Sequence, residues 1–136
     1  MRKFLITAHG NFASGIKSSL DIIIGHTENV FVIDAYVDGN KSIEGKLHDI
    51  LENLAPEDEL VVFSDLMGGS ITNQILRFAL KENVHVVSGM NLPLLIDVIL
   101  ADTNTPFTAI IENSIKVARE QVVYVNKLIN KENAHD

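Results

Sequence analysis

The sequence predicts an α/β fold: a mainly four-stranded parallel sheet in three layers, with helices on both faces. Two observations predict it. Four short apolar runs alternate with segments whose apolar residues recur at helical spacing, the pattern of successive βα units. The runs are rich in Val, Ile and Phe and almost continuously apolar, as in strands buried on both sides.

The first strand is expected over Lys3–Ala8 and ends in the turn Thr7-Ala8-His9-Gly10-Asn11. Phe12, Ile16, Leu20, Ile23 and Ile24 then mark the apolar face of a helix. The second strand covers Val30–Ala35. Ile43, Leu47, Ile50, Leu51 and Leu54 mark the second helix, with Pro56 after its end. The third strand, Glu59–Ser64, leads through Asp65-Leu66-Met67-Gly68-Gly69 to a helix from Ser70 to about Glu82, with Ser70 as its N-cap. A fourth strand covers Val84–Ser88, and a helix follows over Leu92–Ala101. The fifth helix begins near Pro106, which suits a first helical turn, and carries Ile111, Ile115, Ala118 and Val122. Val122-Val123-Tyr124-Val125 reads as a last strand. It follows the fifth helix without room for a crossover, so an antiparallel edge position is expected.

The 136 residues predict one domain over residues 1–126, with a polar tail over 127–136 that frays. There is no cysteine, which excludes disulfides and thiolate chemistry and fits a reducing cytosol. A net charge of -7 with 11 basic residues leaves no patch for nucleic acid. The first apolar run stops at His9, so no signal peptide is read there, and no run approaches the ~20 residues of a membrane span. The expectation is a cytoplasmic protein without direct membrane insertion.

His9 is the leading candidate for chemistry. It stands at the carboxyl end of a strand, where open α/β sheets bind ligands. Asp65 emerges on the same rim and is the carboxylate to orient it. A ring nitrogen of a neutral histidine can act as a nucleophile, and a carboxylate on the other nitrogen fixes the tautomer. The plainer reading of His9 is a side chain satisfying a loop carbonyl; that of Asp65 is a turn or cap residue. Gly68-Gly69-Ser70 at a helix start offers backbone N–H groups to an anion, as does the first helix near Phe12 and Ala13. His26, His48, His85 and His135 lie off this rim. No Gly-Lys-Ser/Thr, Gly-x-Gly-x-x-Gly or Gly-x-Ser-x-Gly motif occurs at the required place, which argues against nucleotide, dinucleotide and acyl-hydrolase sites. His9 and Asp65 alone are too few for a metal site.

These residues resemble the mannose-family enzyme IIA domain of the bacterial phosphoenolpyruvate-dependent sugar phosphotransferase system. The similarity covers nearly the whole chain. It includes Thr7-Ala8-His9-Gly10 with Ala13 and Gly15, then Gly25, Asn29-Val30, the block Ser64 to Asn73, and Ser88-Gly89-Met90-Asn91-Leu92-Pro93-Leu94-Leu95. Ile71 stands where the family often has proline, and Gln121 near where relatives often have glycine.

The resemblance implies a histidine phosphocarrier, a phosphotransferase without cofactor or metal. His9 would accept a phosphoryl group on Nε2 from the phosphorylated phosphocarrier protein HPr and pass it to a IIB protein. That protein serves a IIC/IID sugar permease. Asp65 would hold the other ring nitrogen. Gly10, Gly68, Gly69, Ser70, Thr72 and Asn73 would help hold the phosphate or partner. The resemblance also favours a homodimer in which the C-terminal strand is exchanged. The alternatives are the phosphotransfer subunit of a dihydroxyacetone kinase, a non-catalytic regulatory module of the same fold, or a small hydrolase with His9 as base. The His-Gly motif and the Asn-Leu-Pro block favour the sugar system.

Overall fold

Of the four nearly continuous apolar strands, the two buried along most of their length lie in the middle of the sheet. In the computed structural model, which describes residues 1–37, 42–67, 69–78, 81 and 83–134, four strands form one parallel sheet in the order β2-β1-β3-β4. They are β1 (Arg2–His9), β2 (Val30–Ala35), β3 (Glu59–Ser64) and β4 (Val84–Ser88). β1 is buried from Phe4 to Ala8 and β3 from Leu60 to Ser64, while the edge strands β2 and β4 are buried only in part. Thr7 pairs with Ser64, so β1 and β3 leave the sheet at the same rim.

Six helices follow: α1 (Phe12–Ile24), α2 (Glu44–Glu52), α3 (Ser70–Phe78), α4 (Leu92–Ile99), α5 (Phe107–Glu120) and α6 (Val125–Ala134). The strand order fixes the layers around the sheet. β1 to β2 runs in one direction, and β2 to β3 and β3 to β4 run in the other. Right-handed crossovers therefore place α1 on one face and α2 and α3 on the opposite face. Packing agrees. Leu5, Ile33, Leu60 and Val62 share a buried cluster with Leu47 and Leu51 of α2 and with Ile71 and Ile75 of α3. Phe4 and Ile6 alternate with Leu5 and so point to the other face. Each such aliphatic side chain, fully buried, stabilises the fold by about 1.5–3 kcal/mol.

The chain forms two compact units, Met1–Leu92 and Pro93–Asp136. The first holds the sheet with α1 to α3. In the second, α4 buries Leu94, Leu95 and Val98, and α5 buries Phe107, Ile110, Ile111 and Ala118. The Ser114 hydroxyl donates to Asp97 Oδ2 (2.6 Å) and ties α5 to α4. α5 starts near Pro106 as expected, with Pro106 at its N-cap. The stretch expected to extend α3 to Glu82 includes Ala79, Leu80 and Glu82, which lie outside the described residues, as does His135.

The expected C-terminal antiparallel strand is corrected. Val122–Tyr124 form a short link, and α6 starts at Val125, where the N–H groups of Lys127 and Leu128 reach Tyr124 O. The expected frayed tail from Lys127 is helical to Ala134. A helix closes its hydrogen bonds within itself, whereas a strand needs a second edge. From Val125 the apolar residues Val125, Leu128 and Ile129 also fall at helical spacing, among helix-forming Lys and Glu. The boundary expected at residue 126 thus falls inside α6.

Candidate functional site

β1 and β3 are neighbours whose onward connections leave in opposite directions. Their carboxyl ends form the switch point where such sheets bind ligands. His9 is the last residue of β1, and Asp65 is the first residue after β3. Gly10 follows His9 with φ +58°, a left-handed conformation that favours glycine, and its N–H donates to Ala35 O (2.9 Å). That bond latches the end of β1 to the end of β2 and fixes where His9 leaves the sheet.

The Asp65 carboxylate organises the rim. Oδ2 accepts from the backbone N–H of His9 (3.0 Å) and lies 2.9 Å from its Nδ1. Oδ1 accepts from the N–H of Leu66 (2.9 Å). The Asp65 side chain is only 10% exposed, whereas that of His9 is 42% exposed. Burial pushes the Asp65 carboxyl up. The His9 backbone bond, the His9 ring bond and the ring's charge together outweigh burial and hold it below its ordinary value. An ionised carboxylate is an acceptor only, so Nδ1 carries the proton and donates. Neutral His9 therefore has its lone pair on Nε2, the nitrogen not taken by Asp65. The site offers an exposed, oriented nucleophile with a carboxylate placed to stabilise positive charge on its ring.

The loop after β3 is held from behind by hydroxyls. Thr72 Oγ1 donates to Leu66 O (2.7 Å), and Ser64 Oγ lies 3.1 Å from Thr72 Oγ1 and 2.7 Å from Ser88 Oγ. With the Thr72 proton on Leu66 O, a continuous order is Ser88 to Ser64 to Thr72 to Leu66. Thr72 is 2% exposed, so its hydroxyl supports the loop rather than facing solvent. This departs from the phosphate-contact role expected of it, because α3 turns that side chain inward. Ser70 and Asn73 are exposed, as is Gly10. A methyl group added at Gly69 would sit 3.9 Å from His9 Cε1, so this backbone passes beside the imidazole. Gly68 lies outside the described residues.

Four contributors escaped sequence reading. Tyr36 follows β2 with φ +65°, packs its ring 5.3 Å from the His9 ring and bonds its hydroxyl to Ser70 Oγ. Asp34 Oδ1 accepts from the N–H of Ser14 (3.0 Å). It thereby satisfies one donor of the first turn of α1, where Asn11 makes no side-chain cap. Part of the anion-binding capacity expected near Phe12 and Ala13 is thus already met by a carboxylate. Ser64 and Ser88 are hydroxyls at the ends of apolar strands, the one local signal that could have found them. His48 and His85 pair with Glu52 (2.9 Å) and Glu59 (3.1 Å), away from the rim.

A parallel α/β sheet with an aspartate-braced histidine at its switch point defines a protein with a histidine-centred rim site. The chain belongs to the mannose-type enzyme IIA family of the phosphotransferase system: the family model for the phosphotransferase system fructose IIA component matches residues 3–115. The fructose-specific EIIA component of Bacillus subtilis is 26% identical over 145 residues, covering 100% of this chain and 99% of the relative. The mannose-specific EIIAB component of Escherichia coli K12 is 28% identical over 122 residues, and the match covers 87% of this chain but 38% of that protein. A solved Klebsiella pneumoniae chain, assigned to a phosphoenolpyruvate-dependent sugar phosphotransferase system permease, matches with a TM-score of 0.87 at 29% identity. That match covers 94% of this chain and 93% of the other. Among the described residues, no helix is long and apolar enough to cross a membrane.

Proposed function

We propose that the chain is a cytoplasmic histidine phosphocarrier that takes a phosphoryl group from phosphorylated HPr and hands it to a IIB protein for uptake and phosphorylation of a sugar. The observation that carries this reading is the bond from His9 Nδ1–H to Asp65 Oδ2, which leaves the lone pair on Nε2. In the transfer, Nε2 attacks phosphorus and forms a new N–P bond. The donor's N–P bond breaks, and its electron pair returns to the donor's imidazole. Positive charge appears on the His9 ring and is met by the Asp65 carboxylate. The second transfer reverses these roles toward the acceptor. Such chemistry rests on positioning and charge stabilisation more than on new covalent machinery.

The exposed residues Gly10, Ser70 and Asn73, with the half-buried Gly69, supply the polar surface for the phosphoryl oxygens or the partner, and Gly68 is assigned the same role. Thr72 acts by holding that loop. The working form is a homodimer. Incubation with phosphoenolpyruvate, enzyme I and HPr should add one phosphoryl group, read by intact mass. His9→Ala should abolish it; undiminished labelling of that variant would overturn the assignment.

A further inference from the structure

We propose that Tyr36 is a positioning residue of this site, its ring setting the plane of the His9 imidazole and its hydroxyl aiming that of Ser70. Three observations on one residue support it. The Tyr36 ring lies 5.3 Å from the His9 ring, centre to centre, tilted by 32°. Its hydroxyl bonds Ser70 Oγ at the start of α3. Its backbone holds φ +65°, the one positive φ among the described non-glycine residues.

A bulky side chain rarely adopts that conformation, and such outliers gather at functional sites where other contacts hold them. Here the conformation has a geometric result. β2 ends at Ala35, which is latched to Gly10. The left-handed turn at the next residue brings the phenol alongside His9 and onto Ser70. Asp65 bonds one edge of the imidazole, and Tyr36 packs against the ring. Together they restrict its rotation and leave Nε2 as the ring nitrogen not bonded to Asp65.

The hydroxyl pair has a direction in this proposal, which rests on the phosphocarrier reading. The phenol O–H donates to Ser70 Oγ, and the Ser70 proton is then free to donate to a phosphoryl oxygen on Nε2. Tyr36 itself touches no reacting atom.

The test uses the full chain and the variants Tyr36→Phe, Tyr36→Gly, Ser70→Ala and Tyr36→Phe with Ser70→Ala. Ring dynamics of unphosphorylated His9 are read by NMR relaxation, the fold by its thermal midpoint, and transfer by the initial rate from phosphorylated HPr. Tyr36→Phe keeps the ring and should keep imidazole dynamics, but slow transfer by about fivefold, the worth of one hydrogen bond. Adding Ser70→Ala to it should slow transfer no more than Ser70→Ala alone. Tyr36→Gly relieves the backbone but removes a half-buried ring packed against the core, so its midpoint should fall by a few degrees with the fold retained, while the imidazole should loosen and transfer should drop more than tenfold. Additive losses in the double variant, or parent-like imidazole dynamics in Tyr36→Gly, would overturn the assignment. A parent chain that takes no phosphate on His9 would remove the phosphocarrier reading, while the imidazole dynamics would still decide the role of Tyr36.

Discussion

Asp65 serves the backbone as well as the imidazole, because it accepts from the N–H groups of His9 and Leu66 in addition to the ring. Asp65→Asn keeps the size but loses the charge and turns an amide N–H₂ toward one of those donors. Loss of a charge-assisted bond of about 1.5–3 kcal/mol should slow phosphorylation by roughly 10- to 100-fold. Urea unfolding should show a loss of about 1 kcal/mol for the misplaced backbone bond. Unchanged transfer rates would show that the carboxylate's charge plays no part. Thr7, two residues before His9, is fully buried, and its Oγ1 has no hydrogen-bond partner among the described residues. Thr7→Val replaces that hydroxyl with a methyl group of similar shape, so the thermal midpoint should rise, by about 1 kcal/mol in stability. A lower midpoint would show that the hydroxyl is satisfied. His9 and Asp65 were legible because each directly ends or follows an apolar run. Tyr36 was not: its place beside His9 depends on a positive φ and on β2 lying next to β1. Neither has a local pattern.

Elements with continuous apolar runs were read with near-final bounds. β2, β3 and β4 fall where expected, and β1 gains one residue at each end. The C-terminal run failed because four apolar residues fit either period, and the helical spacing beyond them decided the outcome. Contacts between elements were the least legible. Asp34 satisfies α1 from the neighbouring strand, which only the sheet order reveals. Asp58 links elements at the other end of the sheet. Its carboxylate accepts from the Ala55 N–H (3.0 Å) and meets the Lys3 ammonium (3.1 Å). The Ala55 bond first, then Lys3, hold it below the ordinary 3.8, at about 2. A depressed carboxyl contributes stability that is present above the unfolded value and lost as pH falls through the folded one. The stability gap between the parent and Asp58→Asn should be full at pH 5 and close as pH falls toward about 2. Urea titrations at successive pH values will read it, and a gap constant across that range would refute the linkage.

At the scale of the whole molecule, the proposed dimer has a visible candidate surface. Val122 is 78% and Tyr124 71% exposed, and Val125, Leu128 and Ile129 are exposed beside them. A contiguous apolar run of this kind marks an interaction surface. Light scattering should give twice the chain mass, and the double variant Val122→Asp with Tyr124→Asp should be a folded monomer by scattering and circular dichroism. A monomeric parent would end the dimer proposal. The exposure of His9 carries a further consequence, one of timing. The His9 side chain is 42% exposed, so a ring open to a protein partner is open to water as well. A phosphoryl group carried there faces two competing fates, delivery and hydrolysis. Under the proposed phosphocarrier function, the yield is then a race, set by how soon an acceptor covers the rim, and scarcity of acceptor would lower throughput even with every His9 loaded.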